Sequence, residues 1–343
     1  MKERIKSIDS LRGIAILAVI LIHTTTRTLE ASGFDLPAFS FTLFLNQISR
    51  FAVPLFFVIS GLVLEFSHKE ESYWSFIKRR FSKIFVPYII WSLFYYFLVY
   101  NENHDSLVKV FLTGNASYQL YFIPSLCIFY MAFPFLHKAY SIISNKFILI
   151  LITASQLAFL YRDYYVKGFE LNDPIRIVLM SYLFFVIGML AARNIDRINL
   201  FVEKWRKILP VIAGVSGIYV FFEGWSRYLS TGNYLSYYSQ WRPSVLVYTI
   251  SLGLTLYYYF EHTKLRSSII AKFSEHSFFV FLVHVAILEA VWQVVGKSIF
   301  DIFRGGIPAK IIFDPTFFMV VTIMSFLIAK YVHKISKSSK LLG

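Results

Sequence analysis

Apolar runs of about 20 residues follow one another almost from end to end of this chain, divided by short segments that hold charge, Gly, Pro or Asn. A hydrocarbon layer roughly 30 Å thick asks that length of a helix. The expected fold is therefore an all-α integral membrane protein. Of the 343 residues, 57% are hydrophobic and 16% charged, where an ordinary soluble domain has about 45–50% and 25%. No stretch of useful size is left for a soluble part, so the chain is expected to be a single transmembrane domain over 1–343 with no appended soluble domain.

Ten spans are expected, at 8–26, 50–66, 84–100, 120–136, 147–161, 174–192, 208–222, 243–260, 277–295 and 315–332. With the N-terminus inside, the 34 Lys and Arg residues divide about two to one in favour of the inner segments, as the positive-inside rule asks. Both termini are then expected in the cytoplasm, and the net charge of +14 reflects topology, with no nucleic acid needed to explain it. The basic N-terminus followed by an apolar run imitates a secretory signal. Ile22-His23-Thr24-Thr25-Thr26-Arg27 lacks the small-residue cleavage pattern, so a retained first helix is expected. Phe and Tyr are abundant, at 37 and 23, and interfacial belts with lipid-facing surface account for them. A lone cysteine, Cys127, excludes an internal disulfide framework.

Ionisable groups inside a span cost about 2.5–3.5 kcal/mol on insertion scales, which makes each a candidate for function. In the first span Asp9-Ser10-Leu11-Arg12-Gly13 leads through apolar residues to His23. Eleven residues make about three helical turns, so Arg12 and His23 share a face and stand roughly 16 Å apart along the axis. A cation suited to phosphates at the inner end, with a titratable base further across, describes a path for a donor entering from the cytoplasm. Taken singly, Arg12 also fits a positive-inside anchor and His23 an interfacial residue bonded to backbone. Asp9 suits a supporting role, capping the helix and pairing with Arg12 three residues on.

The second span opens at Arg50, expected at its outer edge, with Pro54 expected to bend the helix and Ser60-Gly61 to permit close helix contact. Arg50 fits either an acceptor or oxyanion partner or a plain interfacial cation. Lys78, Arg79, Arg80 and Lys83 form an inner cationic cluster that suits anionic headgroups, or the phosphates of a donor. In the ninth span Ser277 leads to His284, with Glu289 five residues on; His23 and His284 are the two histidines expected inside spans. Packing between helices is the plainer reading of His284. No Gly-x-Ser-x-Gly elbow, His-Glu-x-x-His, Walker loop or Rossmann fingerprint occurs, so neither a metal site nor a bound cofactor is expected.

Ile8 to Ala15 leading to His23 resembles the basic-residue, ten-residue gap, histidine motif of the membrane-bound acyltransferase-3 family. Arg50 to Gly61, Lys78 to Tyr88, Tyr118 to Pro124 and Ser277 to His284 are similar to further stretches of that family, in the same order. The resemblance implies a ten-helix bacterial plasma-membrane enzyme that moves an acyl group from cytoplasmic acyl-CoA to a hydroxyl of an envelope carbohydrate. It implies His23 as the essential histidine and Arg12 as a donor-holding residue. Gln119 and Tyr121 stand where members often carry His and Trp, which removes acid/base duty from position 119 and leaves Tyr121 as a substrate contact.

On this expectation His23 is a general base, its imidazole with an ordinary pKa near 6.5 suited to taking a hydroxyl proton at neutral pH. Arg12 holds a phosphate of CoA, Arg50 orients the acceptor or the oxyanion, and Ser60 and His284 contact substrate. The partners are then acyl-CoA as co-substrate, a carbohydrate acceptor and the lipid bilayer. The alternative is a polysaccharide transporter or exporter, since charge within spans also marks transport routes.

Overall fold

The structure, a computed structural model, describes residues 6–31, 36–100, 105–166, 171, 173–232, 238–262, 268–302 and 307–335. No strand occurs among the described residues. In chain order the helices are α1 (Lys6–Ala31), α2 (Leu36–Ile48), α3 (Ala52–Phe66), α4 (Tyr73–Phe94), α5 (Leu107–Thr113), α6 (Phe122–Lys138), α7 (Tyr140–Ile143), α8 (Lys146–Tyr161) and α9 (Asp173–Arg193). They continue with α10 (Ile195–Trp205), α11 (Leu209–Thr231), α12 (Pro243–His262), α13 (Ser268–Glu275), α14 (Ser277–Val291), α15 (Lys297–Ile302) and α16 (Ile307–Ile335). Single π-helical turns extend α4 over Tyr95–Val99, α8 over Arg162–Val166 and α14 over Trp292–Gly296. Such widened turns recur at functional sites.

Each of the ten expected spans falls on a helix. Among the described residues eight segments are long and apolar enough to cross a bilayer: Ser7–Ala31, Phe41–Phe66, Tyr73–Val99, Lys146–Val166, Asp173–Arg193, Leu209–Thr231, Ser277–Ile302 and Ile311–Lys334. The expected 120–136 span falls on α6, apolar but only 17 residues long. The expected 243–260 span falls on α12, where Tyr248, Thr249, Ser251, Thr255 and Tyr257 to Tyr259 dilute the apolar content. The last span also runs further than its sequence boundary and takes in His333, a third histidine within a span beside His23 and His284.

Two expectations about the second span change. It starts at Phe41, well before residue 50, and consists of α2 and α3 joined by a turn at 49–51. Arg50 sits in that turn, 4% exposed, away from any span edge. Pro54 does not bend a helix; it stands in the first turn of α3, where its missing N–H has no intrahelical partner to lose. The bend comes from the break itself, and non-helical backbone at membrane depth is tolerated where protein buries it.

The chain packs into two compact units, Phe56–Leu200 and, together, Ile5–Leu55 with Phe201–Ile335. In the first, α3, α6 and α9 share a core in which Phe129 stacks on Phe185 at 4.6 Å and lies 5.3 Å from Phe57. Gly61 and Gly188 let α3 and α9 touch backbone to backbone: a Cβ at Gly61 would lie 2.1 Å from the Phe185 carbonyl oxygen, and one at Gly188 2.0 Å from that of Val58. Small residues are the usual means of such approach in membranes. In the second unit α1 is the central element, buried against α2, α12, α13, α14 and α16. Its buried Thr24, Thr25 and Thr28 return their hydroxyls to carbonyls one turn back, so these three side chains are satisfied within the helix itself.

Candidate functional site

Within the second unit, α1 and α14 bring the two histidines of the sequence analysis together. The rings of His23 and His284 are 5.2 Å apart, centre to centre, and inclined by 36°. His284 is fully buried, and its Nδ1 lies 3.1 Å from the Val280 carbonyl. A carbonyl only accepts, so Nδ1 carries a proton, and in the neutral ring Nε2 is left as the acceptor. That Nε2 has no hydrogen-bond partner among the described residues. His23 is half-buried.

Arg50 is tied to the same turn of α1 through a residue that the sequence pattern did not single out. Arg50 donates from Nε to Asn46 Oδ1 at 3.1 Å and from a terminal nitrogen to the same oxygen, and it also donates to the Tyr238 carbonyl at 2.5 Å. Asn46 in turn donates from Nδ2 to the Ile22 carbonyl at 3.2 Å and to the Thr25 and Thr26 hydroxyls at 3.0 and 3.1 Å. Asn46 thus bridges the guanidinium and the backbone next to His23. Gln47 extends the chain, donating to Asn46 Oδ1 at 3.2 Å and accepting from Arg242. Arg242, with no exposed surface, pairs with Glu223 at 3.1 Å, and Ser244 donates to that carboxylate at 2.5 Å.

Arg12 lies on α1, about three turns before His23, and pairs with Asp9 at 3.6 Å while keeping 28% of its side chain exposed. Its neighbour Gly13 lets α13 come close: a Cβ there would lie 2.6 Å from the Ile270 carbonyl oxygen. The remaining predicted residues belong to the first unit. Ser60 is half-buried on α3 beside Gly61, and Tyr121 is half-buried at the N-terminal end of α6. Arg79 pairs with Glu71, Arg80 donates to Ser67 at 2.7 Å, and both guanidinium groups stand 5.8 Å from the Phe76 ring. Glu71 lies outside the spans, and the hydrogen bond from Arg79 holds its carboxyl below the usual carboxylate range.

The first unit also holds a cluster that the sequence pattern did not reveal. The side chain of Glu65, 3% exposed, meets both His137 at 2.9 Å and Arg193, whose guanidinium lies 3.9 Å from the Tyr140 ring. His68 stands 3.8 Å from His137, ring to ring. Burial, then the neighbouring His137, lowers the His68 pKa from its ordinary value. Among the described residues no group of His, Cys, Asp and Glu is arranged to hold a metal ion.

Comparison with known proteins adds an independent line. A family model described as an acyltransferase domain matches residues 5–333. A probable poly-beta-1,6-N-acetyl-D-glucosamine export protein of Staphylococcus aureus (strain MSSA476) is 24% identical over 299 residues, 82% of each chain. The protein of the same name from Staphylococcus epidermidis is 24% identical over 314 residues, covering 85% of this chain and 83% of its own. No solved structure matches.

Proposed function

Because the chain belongs to the acyltransferase-3 family, whose model covers it from residue 5 to residue 333, we propose that it transfers an acyl group from acyl-CoA to a hydroxyl of a cell-surface carbohydrate, with His23 as the general base. Membrane acyl transfer is the family's chemistry; the donor, the acceptor and the residue roles are the proposal. The observation that carries it is the pairing of His23 with His284 on the face of α1 that also bears Arg12.

In the proposed reaction Arg12, at the cytoplasmic end of α1, holds a phosphate of CoA through its planar guanidinium. The pantetheine arm then runs along α1, since the roughly 16 Å between Arg12 and His23 is of the order of its length. His23 takes the proton from the attacking hydroxyl as its oxygen bonds to the thioester carbon. The tetrahedral oxyanion collapses, the C–S bond breaks, and the thiolate of CoA leaves with the proton that His23 had taken. Arg50, held by Asn46, faces the developing oxyanion or the acceptor. His284, whose Nδ1 is engaged by Val280, offers its Nε2 as an acceptor that orients the His23 ring or a substrate group.

A second reading, export of polysaccharide, is favoured by the names of the Staphylococcus relatives. One experiment separates the two. Surface polysaccharide from cells with and without the protein is compared for ester content by mass spectrometry, and for total polymer outside against inside the cell. Loss of ester with polymer still outside supports acyl transfer. Polymer retained inside with no change in ester supports export and contradicts the enzyme reading.

A further inference from the structure

Beyond His23, the same two helices carry four more residues, and transfer by His23 does not use them. On α1, Arg27 and Glu30 follow His23 at four and seven residues, spacings that keep all three on one face. On α14 and its π-helical turn, Glu289 and Trp292 follow His284. The two sets meet: Arg27 lies 3.5 Å from the Glu289 carboxylate and 3.8 Å from that of Glu30, and its guanidinium stands 5.1 Å from the Trp292 ring. Trp292 is buried and so backs the guanidinium. Side-chain exposure rises outward, from 15% for Glu289 through 31% for Arg27 to 47% for Glu30.

Three ionisable groups here lie inside the segments Ser7–Ala31 and Ser277–Ile302, where each is costly to place. One arginine between two glutamates leaves the group with a net negative charge, and a carboxylate has about four acceptor sites, of which one guanidinium contact uses a part. What remains is a set of strong acceptors beside a few donors, the complement of a ring that presents several hydroxyls. The floor below is equally unsatisfied, since the fully buried His284 Nε2 has no partner among the described residues.

We propose that Arg27, Glu30 and Glu289 form the subsite that holds a sugar ring of the acyl acceptor, with Trp292 fixing the guanidinium between the two carboxylates. The donor reaches His23 from the Arg12 side, so the acceptor enters from the opposite end of α1. The ring hydroxyls donate to Glu289 and Glu30, Arg27 donates to a ring or carbonyl oxygen, and one hydroxyl is left facing His23 one turn below. This inference rests on the proposed acyl transfer and gives its acceptor side a location.

The test is direct binding of a β-1,6-linked N-acetylglucosamine pentasaccharide to the full chain in detergent, followed by calorimetry, with acetyl-CoA titrated separately. Glu289→Gln and Glu30→Gln are each expected to weaken pentasaccharide binding by about tenfold or more, the worth of one charge-assisted hydrogen bond. Acetyl-CoA binding should stay unchanged in both variants, which also reports that they are folded. Glu30 is exposed enough that its amide variant keeps the fold even where Glu289→Gln does not. Acyl transfer persisting in His23→Ala would reject the base while leaving the subsite standing. Parent-like pentasaccharide binding by both glutamine variants, or none by the parent chain, would overturn the subsite.

Discussion

Asn46 accepts the Arg50 guanidinium at 3.1 Å through Oδ1 while its amide nitrogen donates to the Ile22 carbonyl, so one side chain joins a helix break to the turn that carries His23. Arg50 has no regular helix to position it, because α2 ends at Ile48 and α3 begins at Ala52. Asn46→Asp keeps the acceptor for Arg50 and removes the donors to Ile22, Thr25 and Thr26. If Asn46 sets the registry of the site, transfer should slow by about tenfold to a hundredfold, since misplacement of about 1 Å can cost the larger factor. Acyl-CoA affinity should not move. Steady-state kinetics with a parallel acyl-CoA titration check both halves.

Arg242 is among the largest fully buried side chains of the described residues, and its charge is met by Glu223 and Gln47. Arg242→Met would leave the Glu223 carboxylate buried with its countercharge gone, a loss of about 3–5 kcal/mol. The double variant Arg242→Met with Glu223→Gln should recover most of that. Thermal unfolding in detergent measures it, and a double variant no more stable than the single one would contradict the pairing.

Where α3 crosses α9, bulk should be poorly tolerated. Gly61→Leu and Gly188→Leu each place side-chain atoms where the partner backbone already is, 2.1 and 2.0 Å from a carbonyl oxygen at the Cβ alone. A loss of about 3 kcal/mol, at the upper end for overpacking, is expected. Gly214 on α11 has nothing within 4 Å of its would-be Cβ. Gly214→Ala should therefore be neutral or slightly stabilising, by up to about 1 kcal/mol. Melting temperatures of the three variants compare the sites directly.

His68 lies outside the spans, and burial, then His137, depresses its pKa. His276, also outside, is depressed by burial and then by His333. A histidine with a lowered folded pKa is held neutral by the fold and charges more readily when unfolded. Its contribution is present above its unfolded pKa, near 6.5, and is lost as the pH falls. The melting temperature should fall between pH 7 and pH 5, and His68→Gln with His276→Gln should shallow that slope. An unchanged slope would show that other groups govern it.

Much of this could be read from the chain before folding. Eight of the ten expected spans fall on segments long and apolar enough to cross a bilayer, because apolar length is a one-dimensional signal, and Arg12 with His23 were legible because both lie on one helix, where spacing fixes the shared face. His284 was visible as an isolated polar residue in an apolar run, although its partner was not. Asn46, Gln47, Glu223 and Arg242 escaped notice because their meaning comes from packing between distant segments: Gln47 and Arg242 are 195 residues apart in sequence. Arg50 lies deeper than hydropathy places it, for a related reason. The helix break at 49–51 lies inside a long apolar stretch, and hydropathy alone set the edge of the span at the first charge.

His23 is the residue on which the proposed transfer depends. The decisive measurement is the ester content of surface polysaccharide from cells whose membranes carry equal amounts of the parent chain or of His23→Ala, with acyl-CoA binding confirmed for both. If His23 removes the proton from the acceptor hydroxyl, transfer should fall by about 10²–10⁴-fold and ester should drop to the level of cells lacking the protein. Full ester content with His23→Ala would contradict the account.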